Sequence, residues 1–283
     1  MEHPLEILRR RGLRPKKSWG QNFLADDRHL SAIARACELS PGDRVVEFGA
    51  GLGHLTRHLA ATGAHVVAVE RDRDLVPLLR EQVEGLDVEV VEANAATFSL
   101  VELSRERGSP LVVVGNLPYH LSTEILFHVF DQREVVRRVV FLLQKEVTER
   151  IAAPPGGKEY GVLSVLLQLY AEVDIPHRVP ARAFVPRPEV ESAVIRCRMR
   201  QGPLADPGDE TFFRRLVKAA FAQRRKTLGN ALRAGRLADP EAIARALEAA
   251  GIDPGRRAET LSVEEFARLS RLLSGAVEHE EDA

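Results

Sequence analysis

The stretch Val45-Val46-Glu47-Phe48-Gly49-Ala50-Gly51-Leu52-Gly53-His54-Leu55-Thr56 decides how this chain folds. A short apolar run enters a turn with glycine at every second position, and apolar residues at helical spacing, Leu55 and Leu59, follow. That order reads as strand, tight turn and helix, with the first backbone N–H groups of the helix open to a ligand. Glycine lets such a ligand approach the main chain. A tight turn without a ligand is the plainer alternative, so the flanking sequence has to decide. A dinucleotide fingerprint asks for Gly or Ala at the sixth position, where helix and strand pack closely, and here that position is His54.

Outward from the turn, His65 to Val69 form a second apolar strand ending in Glu70, where an acidic side chain can hold a ribose diol. Val88 to Val91 form a third, ending near Asn94-Ala95, and an amide there can pair with a cofactor's adenine. Leu111 to Gly115 form a further strand that runs into Asn116-Leu117-Pro118-Tyr119. Gly49, Glu70, Asn94 and Asn116 thus stand at four strand ends, and open α/β sheets bind ligands at the carboxyl ends of their strands. The tetrapeptide suits an exocyclic amino group. Asn116 accepts one hydrogen through its side-chain oxygen, a backbone carbonyl beside Pro118 accepts the other, and Tyr119 lies against the face of the base. Asn and Pro are also ordinary turn residues, which is the competing explanation. Glu47 is expected to orient the glycine loop through backbone amides, or to be a simple strand-end carboxylate.

This order of strand ends resembles the S-adenosylmethionine-dependent methyltransferase fold. Further segments narrow the likeness: Lys17-Ser18-Trp19-Gly20-Gln21-Asn22-Phe23-Leu24, Gln144-Lys145-Glu146-Val147, Tyr160-Gly161-Val162-Leu163-Ser164-Val165, Phe184-Val185-Pro186-Arg187-Pro188-Glu189-Val190-Glu191-Ser192-Ala193-Val194 and Arg224-Arg225-Lys226-Thr227-Leu228. In this order they resemble the KsgA-type rRNA adenine dimethyltransferases over nearly the whole chain. The resemblance implies S-adenosylmethionine as methyl donor, S-adenosylhomocysteine as product, and N6,N6-dimethyladenosine formed at two adjacent adenosines in a hairpin near the 3′ end of 16S rRNA, within a small ribosomal subunit or its precursor. It implies cofactor contacts at Asn22, Leu24, Gly49, Gly51, Gly53, Glu70, Asn94 and Asn116, and an acceptor site of Asn116, Pro118, Tyr119 and Phe184, with Phe184 stacking on the second face of the base. Asn94 stands where the family usually has aspartate, which bears on cofactor affinity. Three rivals remain: an antibiotic-resistance methyltransferase acting on a large-subunit rRNA adenine, a DNA adenine methyltransferase, and an assembly factor that kept the fold without catalysis.

Composition sets the frame. The 283 residues are 45% hydrophobic, enough for one good core and a small second one. Cys37 and Cys197 have no metal spacing and no disulfide framework, no metal is expected, and the chain reads as cytoplasmic without a membrane segment, with monomer as the default and the oligomeric state left open. The formal net charge of -1 conceals clusters. Residues 1 to 20 hold Arg9, Arg10, Arg11, Arg14, Lys16 and Lys17 against Glu2 and Glu6, a local net of +4. Residues 212 to 236 hold Arg214, Arg215, Lys218, Arg224, Arg225, Lys226, Arg233 and Arg236 and no acid, which suits an RNA phosphate backbone at Arg224, Arg225 and Lys226. The expected organisation is an arm over 1–24, an α/β domain over 25–201 with helices on both faces of the sheet, a small helical RNA-binding domain over 209–275, and an acidic disordered tail over 276–283. Gly and Pro make residues 153–158 a mobile loop by composition.

Overall fold

The computed structural model describes residues 2–107, 110–223 and 225–281. The chain opens with α1 (Pro4–Arg10), a two-residue strand β1 (Phe23–Leu24) and α2 (Asp27–Ala36). Strands and helices then alternate: β2 (Arg44–Phe48), α3 (His54–Ala60), β3 (His65–Glu70), α4 (Val76–Gln82), β4 (Val88–Glu92), α5 (Leu100–Arg107), β5 (Leu111–Asn116), α6 (Ser122–Asp131) and β6 (Val136–Gln144). After α7 (Lys145–Ala152) and α8 (Val162–Gln168) come β7 (Ala171–Val179), β8 (Phe184–Val185) and β9 (Ser192–Met199). Four helices close the chain: α9 (Glu210–Phe221), α10 (Leu228–Gly235), α11 (Pro240–Ala249) and α12 (Val263–Glu281).

Seven strands form one sheet in the order β4-β3-β2-β5-β6-β9-β7, an α/β sheet with helices on both faces. The pairs from β4 across to β6 are parallel, and β9 runs antiparallel to β6. The chain moves outward from β2 to β4 and then returns to β5 on the other side of β2. That reversal opens a crevice beyond the carboxyl ends of β2 and β5. Strand alternation sends Val45 and Val66 into the cluster that holds Ile33 of α2 and Leu55 and Leu59 of α3. Phe48 faces the opposite side, where its ring meets Phe98 edge-on with centroids 5.9 Å apart. β5 lies between β2 and β6, and Leu111 to Val114 are fully buried, as a central parallel strand requires. Asp26 caps α2 by accepting from Arg28 N–H at 3.0 Å.

The first twenty-four residues are more than an arm. Pro4 opens α1, and Ile7 and Leu8, each 1% exposed, pack with Leu52, Leu75 and Leu78. Burying two such side chains contributes about 1.5–3 kcal/mol each, which offsets part of the entropy of ordering the helix. Several of the basic side chains there are spent on acids: Arg10 pairs with Glu2, Arg11 with Glu81, and Lys16 with Asp72 and Asp74.

Packing divides the chain into two compact units, Met1–Thr148 with Val173–Met199, and Glu149–Glu172 with Arg200–Ala283. The second takes in a stretch that a linear division near residue 201 assigns to the sheet. Within it Tyr160 meets Phe221 edge-on at 6.2 Å, and Leu204 N–H donates to Leu169 C=O at 2.7 Å. Gly156 N–H donates to Glu259 C=O at 2.7 Å, which ties down the glycine- and proline-rich loop. The last helix continues to Glu281, over residues where acidic composition predicts disorder. Cys37 and Cys197 are free and buried, and burial pushes both thiols up. No helix among the described residues is long and apolar enough to cross a membrane, and none of their His, Cys, Asp or Glu side chains form a group of three or more able to hold a metal.

Candidate active site

Within the first unit, a cavity of about 270 Å³ lies beyond the carboxyl ends of β2, β3, β4 and β5. Asn22, Leu24, Gly49, Gly51, Glu70, Asn94, Asn116, Pro118 and Tyr119 line it together, although they are drawn from five separate stretches of chain. Gly49, Gly51 and Gly53 all have positive φ, at 71°, 58° and 77°. Gly53 lies under the turn as the N-cap of α3 and does not line the cavity; a Cβ there would sit 3.0 Å from Leu79 Cδ1. Gly115, which sequence reading passes over, has a different reason. A Cβ on it would fall 2.6 Å from the Phe48 carbonyl, so only glycine lets β5 deliver Asn116 this close to β2.

Glu70 is 6% exposed, and backbone donors claim both its oxygens: Gly51 N–H at 2.8 Å on Oε2 and Asp72 N–H at 2.8 Å on Oε1. Burial raises this carboxyl above its ordinary value, and the two N–H groups oppose that rise. Each oxygen keeps a second lone pair, so one carboxylate can brace the glycine turn and still accept from a diol. Glu47 is a strand-end carboxylate whose hydrogen bond goes to a side chain and not to the glycine loop. Its partner is the Thr56 hydroxyl, which donates to Oε2 at 2.5 Å, and burial pushes its carboxyl up to about 8. Asn94 accepts Ala96 N–H on Oδ1 at 3.2 Å, so the turn takes one lone pair of the oxygen and leaves one for a cofactor adenine.

On the other wall, Asn116 Nδ2 donates to the Asn22 carbonyl at 3.1 Å. Because a carbonyl only accepts, this bond fixes which end of the amide is which, and the side-chain oxygen is the end left for a ligand. Asn22 Nδ2 in turn donates to Gly20 C=O at 3.1 Å. The Tyr119 hydroxyl lies 2.7 Å from Ser192 Oγ, and burial raises its pKa. Such a phenol stays neutral and does not serve as a base. Ser122 Oγ donates to the Tyr119 carbonyl at 2.9 Å, and Leu121 N–H to that of Pro118 at 3.0 Å. Leu117, just before Pro118, also lines the cavity.

Phe184 is not brought to the cavity. It pairs across from Leu24 in the β1–β8 ladder, is 2% exposed, and belongs to the apolar cluster with Ile33, Val179 and Val194. β8 alternates, so Phe184 turns inward and its neighbour does not. Arg225 and Lys226 lie exposed in the second unit, whereas Arg224 lies outside the described residues. Sequence reading missed Arg71, Asp72 and His120. Arg71 and His120 line the cavity, and each sits within two residues of one it singled out.

A model described as ribosomal RNA adenine dimethylase matches residues 12–274. Ribosomal RNA small subunit methyltransferase A of Myxococcus xanthus is 53% identical over 276 residues, covering 96% of both chains. The protein of the same name from Moorella thermoacetica is 46% identical over 278 residues, covering 95% of this chain and 96% of its own. Among solved structures, a dimethyladenosine transferase from Plasmodium falciparum aligns with a TM-score of 0.76 at 22% identity over 87% of this chain and 95% of its own, which is a likeness of fold. The 23S rRNA methyltransferase ErmE aligns with a TM-score of 0.69 at 27% identity, over 89% of this chain and 99% of that one. With a cleft of this build and a match from residue 12 to residue 274, the chain belongs to the ribosomal RNA adenine dimethylase family.

Proposed function

We propose that this chain transfers methyl groups from S-adenosylmethionine to N6 of two adjacent adenosines in a hairpin near the 3′ end of 16S rRNA, giving N6,N6-dimethyladenosine in a small subunit or its precursor. It acts as a cytoplasmic monomer in ribosome biogenesis. The observation that carries this reading is the hydrogen bond from Asn116 Nδ2 to the Asn22 carbonyl, which turns an amide oxygen into an acceptor in the cavity that the glycine turn also lines.

The donor set fits an adenosyl cofactor: an open glycine turn for its amino-acid end, a buried carboxylate at the next strand end for a diol, and an amide at the one after for a base. When bound, the cofactor supplies a methyl group already activated by a sulfonium, so the protein's task is positioning. Glu70 holds the ribose, Asn94 faces the cofactor's base, and Asn22 and Leu24 close the cleft from the N-terminal side. The target adenine leaves its stack and seats against Tyr119. Asn116 Oδ1 and a backbone carbonyl beside Pro118 accept the two N6 hydrogens, which withdraws the amine's lone pair from conjugation with the ring and leaves it aimed at the methyl donor. Water takes the proton that the methylated amine sheds. In the second round the amine has one hydrogen fewer, and one acceptor goes unpaired. Phe184, sealed in the core opposite Leu24, backs the cofactor wall and does not stack on the base in this arrangement. Arg225 and Lys226, with Arg224, meet the RNA backbone.

The test is mass spectrometry of unmodified small and large ribosomal subunits after incubation with the protein and cofactor. Dimethylation of two adjacent small-subunit adenosines is expected. Methylation confined to the large subunit would assign the protein to the antibiotic-resistance type, and none on either would leave the assembly-factor reading.

A further inference from the structure

Asp72 lies two residues beyond the ribose carboxylate and is 1% exposed, although its side chain has no place in the chemistry above. Its oxygens hold the N-terminal arm. Lys16 Nζ donates to Oδ1 at 2.6 Å, Gln21 Nε2 donates to Oδ2 at 2.7 Å, and Asp74 N–H adds a bond at 3.1 Å. Gln21 is fixed at both ends, because its Oε1 accepts Lys16 N–H at 2.8 Å. Between these two anchors the arm forms a tight turn, and Trp19 lies with Lys16 Nζ 4.8 Å and the Arg71 guanidinium 4.4 Å from its ring centroid. The residue after Gln21 is Asn22, whose carbonyl holds Asn116. On the other side, Asp72 N–H is bound to Glu70.

A chain of hydrogen bonds therefore runs from the carboxylate at the end of β3, through Asp72 and Gln21, to the backbone that sets the Asn116 amide at the end of β5. Resting on the function proposed above, we propose that Asp72 is a positioning residue for methyl transfer: by clamping Lys16 and Gln21 it fixes the Asn22 carbonyl, and so keeps the Asn116 oxygen aimed at the acceptor amine. Without the clamp, Asn116 keeps its place on β5 and loses only its rotamer. On the cofactor side Glu70 is held independently, since it is braced by main-chain donors that a change in the Asp72 side chain leaves in place, and only Asn22 and Leu24 share the arm with the clamp.

The experiment uses the full chain, unmethylated small subunits and S-adenosylmethionine, and measures kcat, the cofactor Kd by calorimetry, and the fluorescence anisotropy decay of Trp19, the one tryptophan in the chain. The double variant Lys16→Ala/Gln21→Ala changes half-buried arm residues and spares the sheet. It should lower kcat at saturating cofactor by about 10- to 100-fold, since misplacing a positioning group by about 1 Å costs that much, while Kd weakens by a clearly smaller factor, through Asn22 and Leu24, and Trp19 gains fast motion. Asp72→Ala should give the same split. If Asp72→Ala does not fold, the double variant decides alone. Unchanged kcat in the folded double variant overturns the inference, as does a kcat loss matched by an equal loss of cofactor affinity. A wild-type protein that methylates no small subunit would instead bring down the functional reading itself, and the inference with it.

Discussion

The two walls of the cleft are built on opposite plans. The cofactor wall, at the ends of β2, β3 and β4, rests on neighbours close in sequence. Gly51 and Glu70 are joined across adjacent strands, Glu70 and Asp72 are two residues apart, and Glu47 and Thr56 belong to one strand-turn-helix unit. The acceptor wall depends on a partner 94 residues away in sequence, since the Asn22 carbonyl sets the Asn116 amide. The grip on the cofactor's ribose and base is thus assigned to groups that fold in place, and catalytic aim to a contact that exists only once the N-terminal arm has docked.

Two substitutions should separate the walls. Asn116→Ala removes an acceptor needed when the amine is attacked, so kcat should fall on the order of 10²- to 10³-fold, by analogy with loss of one group that stabilises developing charge, while cofactor Kd weakens far less and RNA affinity stays near wild type. Turnover retained in single-turnover methylation would break the contrast at its strongest point. Glu70→Gln should do the reverse. Gln offers one oxygen where two backbone N–H groups need acceptors, leaving a buried donor unpaired at a cost of about 1–3 kcal/mol. Cofactor Kd should weaken by roughly 10- to 100-fold, with kcat at saturating cofactor little changed. Titration calorimetry reads the first and saturation kinetics the second; equal losses in both would mean that the walls act as one unit.

The smallest effect sharpens the picture of the cofactor wall as a buried, pre-formed element. Glu47 has a folded-state pKa raised by burial to about 8, above that of an unfolded glutamate. Its contribution to stability is therefore present in full below the unfolded value and is lost as pH rises through about 8. Wild-type Tm should decline between pH 5 and pH 8.5 more steeply than that of Glu47→Gln, with the variant ahead at the alkaline end by a few degrees, at about 2–4 °C per kcal/mol for a protein near this size. Parallel Tm curves would show that Glu47 is ionised in the fold and that this wall is wetter than the structure indicates.

The turn from Val45 to Thr56 identifies the sheet correctly because a strand, a glycine turn and a helix are local events, each set by spacing within a few residues. Glu70, Asn94 and Asn116 were legible for the same reason: each ends an apolar run, and the ends of parallel strands share one rim. Helix α1 was not, since a basic segment gives no hint that Ile7 and Leu8 find Leu52, Leu75 and Leu78 to cover them. Phe184 shows the converse case. Its motif points to a base, but its register against Leu24 turns the ring into the core.

The sequence by itself determined the order of strands and turns, the residue types at their ends, and through its separated motifs the family to which the chain belongs. Only the tertiary structure decided which end of the Asn116 amide faces the ligand, that Glu70 braces the turn it faces, and that Asp72 fastens the arm. The reason is physical. Side-chain period and turn chemistry act over a few residues, whereas the direction of a hydrogen bond between residues 22 and 116 is fixed only when burial and backbone geometry have brought both to one place.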